Sequence, residues 1–524
     1  MNRTMPDLLE AFLDKGEGNV FLQYGETKWT PPVLSSRVLA WGQLLHELGV
    51  RPGHRVGIYL QKSLEEIGLI FSVSHLGAVF VNIHPSNKFH QVAHIINDCG
   101  IEVLLTSAEL MRAFGPLLSE LKLKHIVVKG DPEGLRPSGA LHTFADAADY
   151  SSPPSFSRPR LIDDDIATII YSSGSTGKPK GIIQTHGNLI EGAEITSCYL
   201  KVSSRDRLLS VLPFSFDYGL NQLLSAVYTG CPLILANYLF PLDILKILEG
   251  DRITGLAGVP TIWLDLLNVL EKYQEIDLPC LRYITNSGGK LYPSTVQRLR
   301  KRLPSTDIYL MYGMTEAFRS TYLPPDEADK RPGSIGKAIP NVSVHVINEE
   351  GKECKAGEVG ELIHRGALIS KGYWGDREKT EQVFRPNPLL PEHLRFTETV
   401  VYSGDLVWRD EEGFFYIEGR KDSMIKSAGH RVSPDEISEI LVRMEGVQNA
   451  AVIGVDSEYL GQRIVAFVQV PDSSNITEKD CRAFAQKFLP PHMIPSEIRL
   501  VRQLPVNSNG KVNVRELNKQ VSDA

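Results

Sequence analysis

Residues 171–181 read Tyr-Ser-Ser-Gly-Ser-Thr-Gly-Lys-Pro-Lys-Gly, and they gather in one loop the groups that hold a polyphosphate. After Tyr171 the stretch contains only glycine, serine, threonine, lysine and proline. Gly174 and Gly177 allow backbone amides close to an anion. Ser172, Ser173, Ser175 and Thr176 add hydroxyl donors, while Lys178 and Lys180 add positive charge. ATP is the expected ligand. The Walker pattern, with four residues between its glycines and then Lys and Ser/Thr, does not fit. Gly174 and Gly177 stand too close, and Pro179 removes a backbone donor directly after Lys178. A flexible surface loop is the bland alternative for any Gly/Ser stretch.

Further strings carry chemistry in order along the chain. Tyr312-Gly313-Met314-Thr315-Glu316 offers a hard carboxylate for a cation that bridges phosphate oxygens. Tyr402-Ser403-Gly404-Asp405-Leu406 is followed by Gly419-Arg420-Lys421-Asp422, and a carboxylate such as Asp405 accepts two sugar hydroxyls well. Alone, each is an ordinary turn. Residues 426–434, Lys-Ser-Ala-Gly-His-Arg-Val-Ser-Pro, and 509–513, Asn-Gly-Lys-Val-Asn, complete the set. A single lysine such as Lys511 in a C-terminal loop is ordinarily solvated, so only the ordered series gives it weight. His90 and His94 stand four apart on an expected helix, one spacing used for metals. With no third ligand nearby, helix packing is the better reading.

These strings need a scaffold. Apolar runs at 56–60, 78–83, 102–106 and 125–128 read as strands, with helical spacing at 64–76 and 89–99 between them. A second such block runs over 208–308, with strands at 208–212 and 233–236 and helices at 222–228 and 262–273. Alternation of this kind predicts doubly wound, mostly parallel sheets. From about 333 to 408 glycine-punctuated short runs predict a small β-barrel-like region. A final block, with helices at 434–443 and 479–488 and strands at 450–455 and 464–469, predicts a smaller, mobile α+β domain. The expected fold class is therefore α/β, with a large N-terminal domain over 1–420 and a lid domain over 421–524 joined by a charged hinge.

Bulk properties narrow the function. The 524 residues carry a net charge of -7, from 56 basic and 63 acidic side chains, which gives no nucleic-acid surface. The six cysteines lack CxxC spacing and read as reduced thiols of a cytoplasmic protein. No apolar run is long enough for a transmembrane helix, and residues 1–18 lack a signal-peptide core.

The ordered strings resemble those of the adenylate-forming superfamily: acyl-CoA synthetases, nonribosomal peptide adenylation domains and luciferases. The resemblance runs from about Phe21 to Lys511. Residues 314–325 are similar to a bacterial acyl-CoA ligase group associated with exosortases. The resemblance implies an AMP-forming carboxylate–thiol ligase with ATP and Mg²⁺. In it, residues 172–180 and Gly288 bind the nucleotide, Tyr312 stacks on adenine and Thr315 contacts the α-phosphate. Glu316 holds Mg²⁺, Asp405 takes the ribose, Arg420 faces the ribose or phosphate, and Arg431 binds phosphate. Lys511 stabilises charge as a carboxylate attacks the α-phosphate. Asp422 is the hinge, and Gly429 lines the tunnel for a pantetheine thiol.

The same resemblance puts Asp217, Tyr218, Asn221, Asn286, Met311, Arg319 and Ser320 in the acyl pocket. Asp217 matches the aspartate that peptide synthetases use for a substrate amine, and with Arg319 it favours a small polar acid or amino acid over a long alkyl chain, since unpaired buried charge is costly. Mutual pairing of Asp217 with Arg319 is the competing structural reading. The acceptor is CoA or a carrier protein's phosphopantetheine, so a free-standing enzyme that loads a carrier with an amino acid is an alternative. A luciferase-like oxygenase and a non-catalytic nucleotide-binding module are alternatives of other classes. The presence of Glu316, Arg420 and Lys511 argues against the module.

Overall fold

The computed structural model describes residues 3–14, 21–144, 155–173, 179–421, 423–427, 430–457, 461–489 and 491–522. Buried β-branched runs make its strands. Arg55–Tyr59, Val79–Asn82, Val103–Ser107 and His125–Lys129 are buried through most of their length around apolar centres, which suits parallel strands covered on both faces. With Ala140–Thr143, Ile166–Ser173 and Pro179–Thr185 they form a seven-stranded sheet, parallel except for the final hairpin. Helices Leu64–His75 and Phe89–Cys99 make the crossovers. Ser63 caps the first by accepting from the Glu66 amide, and Gly100 ends the second in the left-handed region at φ +62°.

The second sheet has a parallel part, Leu208–Ser210, Leu233–Leu235, Gly255–Gly258, Tyr283–Asn286 and Asp307–Met314. It then turns antiparallel through Ala317–Leu323. The glycine-punctuated region continues this sheet through Ser334–Ala338 into Phe415–Arg420, Thr399–Arg409, Gly360–Gly366 and Val342–Ile347. Register shifts at Ser334/Gly336, Glu361/Ile363 and Leu406/Val407 bend it. Gly336 permits one such bend: at φ +86° a Cβ would lie 1.8 Å from the Tyr322 carbonyl oxygen.

A separate sheet of Ile425–Ser427, His430–Val432, Asn449–Ser457, Gly461–Gln469 and Glu497–Val501 carries helices Pro434–Val442 and Glu478–Phe488. It has its own core around Ile437, Leu441, Ala466, Cys481 and Ile498. Among the described residues, no helix is long and apolar enough to cross a membrane.

One element departs from the periodicity. The helix expected at 222–228 begins five residues earlier, as Asp217–Thr229, and carries Asp217, Tyr218 and Asn221 on its first turns. Almost all of it is buried, polar residues included, and a helix buried all round shows little amphipathic period. Gly219 allows that start, because a Cβ there would sit 2.2 Å from the Pro213 carbonyl oxygen.

Candidate active site

Residues of four of the strings, 171–181, 312–316, 402–420 and 509–513, meet at one cleft of roughly 720 Å³ between the second sheet and the C-terminal unit, while none of the described residues of 426–434 lines it. Ile166–Ser173 and Pro179–Thr185 approach it as an antiparallel pair, Ser172 opposite Lys180 and Ser173 opposite Pro179. A strand, not a helix, follows the loop, so a Walker site is excluded structurally as well. Gly174, Ser175, Thr176, Gly177 and Lys178 lie outside the described residues, as does the Ser173 side chain. Lys180 reaches into the cleft, with Nζ 3.4 Å from Asp376 Oδ2 and 5.8 Å from the Tyr373 ring centroid. Among the described residues His94 joins no group of three or more side chains that could hold a metal. Its Nε2 lies 2.9 Å from the Pro179 carbonyl oxygen and anchors the strand that leaves the loop.

Strand Asp307–Met314 delivers Met311 and Tyr312 to the cleft wall, and the turn after it presents Thr315 and Glu316. The Tyr312 hydroxyl donates to Asp405 Oδ2, and Arg420 Nη1 donates to Asp405 Oδ1 at 3.1 Å. Asp405 and Arg420 face each other across adjacent strands, which explains why strings so far apart in sequence act together. Burial and the Asp405 charge push the Tyr312 hydroxyl well above 10, so it stays a donor.

Glu316 is held from two sides. The Tyr373 hydroxyl donates to its Oε1 at 2.5 Å, and the Ser370 amide donates to its carbonyl at 3.0 Å. Gln184 Nε2 donates to the Thr315 carbonyl at 2.6 Å. Tyr373, Gln184 and Asp376 escaped sequence reasoning. The only signal for Tyr373 and Asp376 is the Lys371-Gly-Tyr-Trp-Gly-Asp run, which resembles many turns, and Gln184 sits inside an ordinary strand.

Lys511 enters the cleft from the C-terminal unit. Its Nζ stands 5.7 Å from the Phe216 ring centroid, and its Cε would lie 3.3 Å from a Cβ on Gly288, whose φ is +80°. A side chain at Gly288 would therefore crowd both Lys511 and Phe216. The loop is docked by Thr261, whose hydroxyl donates to the Gly510 carbonyl at 3.2 Å, while Lys290 pairs with Glu439 at 2.7 Å. Arg431 lies on strand His430–Val432, but its side chain, like Asp422 and Gly429, is outside what is described.

Of the expected acyl-pocket residues, Asn286 and Met311 line the cleft. Asp217, Tyr218, Asn221, Arg319 and Ser320 lie deeper and buried. Burial raises the Asp217 carboxyl above its ordinary range, against the charges of Arg319 and Lys511 and a hydrogen bond from Thr315.

His364 lies behind Tyr312, with ring centroids 5.9 Å apart, and neither ring nitrogen has a partner among the described residues. Burial lowers its pKa from 6.5 to about 3. Below pH 6.5 the unfolded chain takes up a proton that the folded ring refuses. The stability held by neutral His364 is thus lost as pH falls from 6.5 towards 3, about 2 kcal/mol by pH 5. His364→Phe is expected to recover that amount at pH 5 with little change at pH 8. Urea unfolding midpoints at both pH values check this, and an equal shift at both would refute titration as the cause.

The family model for AMP-binding enzyme matches residues 9–374, and that for the AMP-binding enzyme C-terminal domain matches 436–511. Bacitracin synthase 3 of Bacillus licheniformis is 27% identical over 518 residues, which cover 98% of this chain but 8% of that protein. A long-chain-fatty-acid–CoA ligase of Bacillus subtilis is 26% identical over 542 residues, covering 98% of this chain and 94% of that one. The crystal structure of ATP-bound MatB from Rhodopseudomonas palustris superposes with a TM-score of 0.87 at 26% identity, covering 100% and 99% of the two chains.

Proposed function

Because this chain belongs to the AMP-binding enzyme family and is an AMP-forming acid–thiol ligase, we propose that the cleft between the second sheet and the C-terminal unit joins a small polar acid to AMP and then to a thiol. The observation that carries this reading is Lys511. A lysine from the C-terminal unit projects into a cleft already furnished with Thr315, Glu316, Asp405 and Arg420.

In the first half-reaction an oxygen of the acid attacks the α-phosphorus of ATP, and the bond to pyrophosphate breaks. Tyr312 holds the adenine, Asp405 and Arg420 the ribose, and the 172–180 loop and Lys180 the departing phosphates. The Lys511 ammonium offsets charge that grows on the α-phosphate in the transition state. Glu316 suits Mg²⁺, which binds through one or two carboxylates plus phosphate oxygens. Among the described residues no group of three His, Cys, Asp or Glu side chains could hold a metal alone. The ion would supply charge neutralisation to the phosphates.

In the second half-reaction the 421–524 lid turns about Asp422, Lys511 withdraws and the Gly429 segment enters. A thiol of CoA or of a carrier's phosphopantetheine attacks the acyl carbon, and AMP leaves with the electron pair. One lid in two positions lets steps with different needs use the same space. The setting for this chemistry is cytoplasmic.

An amino acid is the second reading of the substrate. It is favoured by Asp217, which feels both Lys511 and Arg319 and could take an ammonium beside the reacting carboxylate. Carboxylate-dependent exchange of pyrophosphate into ATP, over amino, fatty, aryl and small acids, tests the function. Exchange with AMP as the nucleotide product is expected, and formation of ADP would overturn the proposal.

A further inference from the structure

We propose that Arg319 sets the specificity of the acyl pocket, and that the acid it selects carries a second carboxylate at the end remote from the one activated. This rests on the adenylating role proposed above. Arg319 lies on strand Ala317–Leu323 and is 3% exposed. Its Nη1 donates to the Phe318 carbonyl at 2.8 Å, but Nε and Nη2 have no partner among the described residues. Those two nitrogens form the side edge of the guanidinium fork, whose parallel N–H groups match the two oxygens of one carboxylate. The edge left open is therefore the one built to chelate a carboxylate.

The surroundings do not close that edge. The guanidinium carbon is 4.9 Å from the Tyr218 ring centroid and 5.2 Å from that of Phe318, and aromatic faces soften a buried cation without accepting its hydrogen bonds. Asp217 is near enough for its charge to be felt, yet it bonds to neither open nitrogen. Asn221, one helical turn beyond Tyr218, adds another buried donor, Nδ2, also without a partner. The two open groups of Arg319 are donors, and an anion with two acceptor oxygens satisfies them. An alkyl chain leaves them all unpaired, at the cost of a buried unsatisfied charge.

Met311 connects this receptor to the cleft. It lines the cleft, and the Tyr199 hydroxyl, which feels the Arg319 charge, donates to its sulfur at 2.9 Å. An unbranched thioether can shift to admit a tail. The activated carboxylate then stays by Lys511 while the second one lies against Arg319.

Matched acids that differ only by the second carboxylate test this: butyrate against succinate, and 2-aminobutyrate against aspartate. The second pair keeps the question of an amine separate. Pyrophosphate exchange by the wild type is expected to favour the dicarboxylate of at least one pair. In Arg319→Met the dicarboxylate-to-monocarboxylate ratio of kcat/KM is expected to fall at least about thirty-fold, with Arg319→Lys intermediate. The AMP-induced rise in Tm reports that the variants still fold and bind nucleotide. Exchange that favours the monocarboxylate in both pairs, or a ratio unmoved by Arg319→Met, overturns the proposal and leaves the ligase reading standing. Exchange with no acid of a broad panel overturns both.

Discussion

Lys511→Ala is expected to slow adenylate formation about a thousand-fold while leaving thioester formation from a supplied acyl-adenylate within a few-fold of wild type. The magnitude follows from losing a fixed cation aimed at charge that develops only in the transition state. The asymmetry follows from how Lys511 is held. It sits on a tight turn where the Asn507 amide donates to the Lys511 carbonyl at 2.7 Å and the Lys511 amide donates to Asn507 Oδ1 at 3.0 Å. That turn meets the large domain at Val259 and Thr261, where a Cβ on Gly510 would come within 2.8 Å of Val259. Under the two-position lid proposed above, that contact belongs to one position, so a lysine that serves there has no part once the lid turns. Single-turnover assays of the two half-reactions measure both rates. Equal losses in both would refute the two-position lid.

Glu316→Gln is expected to lower pyrophosphate exchange about a hundred-fold at low Mg²⁺, with part of the loss recovered as Mg²⁺ is raised. The amide keeps the shape of the carboxylate and can still accept from Tyr373, so the backbone turn fastened by Ser370 and Gln184 survives. What disappears is one negative charge beside the phosphates, and a hard divalent ion depends on that charge. Tyr373 reports independently. Burial and the Glu316 charge raise its hydroxyl far above the ordinary tyrosine range, and neutralising Glu316 should bring it down, as a spectrophotometric titration would show. An unchanged Mg²⁺ dependence would remove Glu316 from the ion's site.

The ligand chemistry was legible in the sequence wherever it depends on local composition. Residues 171–181, 312–316 and 402–406 are short, and their glycines, hydroxyls and charges admit few readings once found in order. The strands Arg55–Tyr59 and His125–Lys129 and the helix Phe89–Cys99 fall at or within a residue of the ends that periodicity predicts. Each shows a compact apolar run or a helical apolar period within its own length. Helix Asp217–Thr229 was read short because burial on every side erases the period that reveals a helix.

Only the tertiary structure decided what depends on residues far apart in the chain. No local pattern says that Tyr373 donates to Glu316, that Arg420 meets Asp405, or that Lys511 comes to rest against Phe216 and Gly288. Nor could the sequence choose between a paired and an open Arg319. A guanidinium's partners are set by which strand and helix pack around it, and here the described residues supply no hydrogen-bond partner to its chelating edge. The sequence by itself determined the groups available and the reaction class they suit. The fold determined which of those groups face one another, because burial strips away water and makes an unmet donor costly enough to reveal what it awaits.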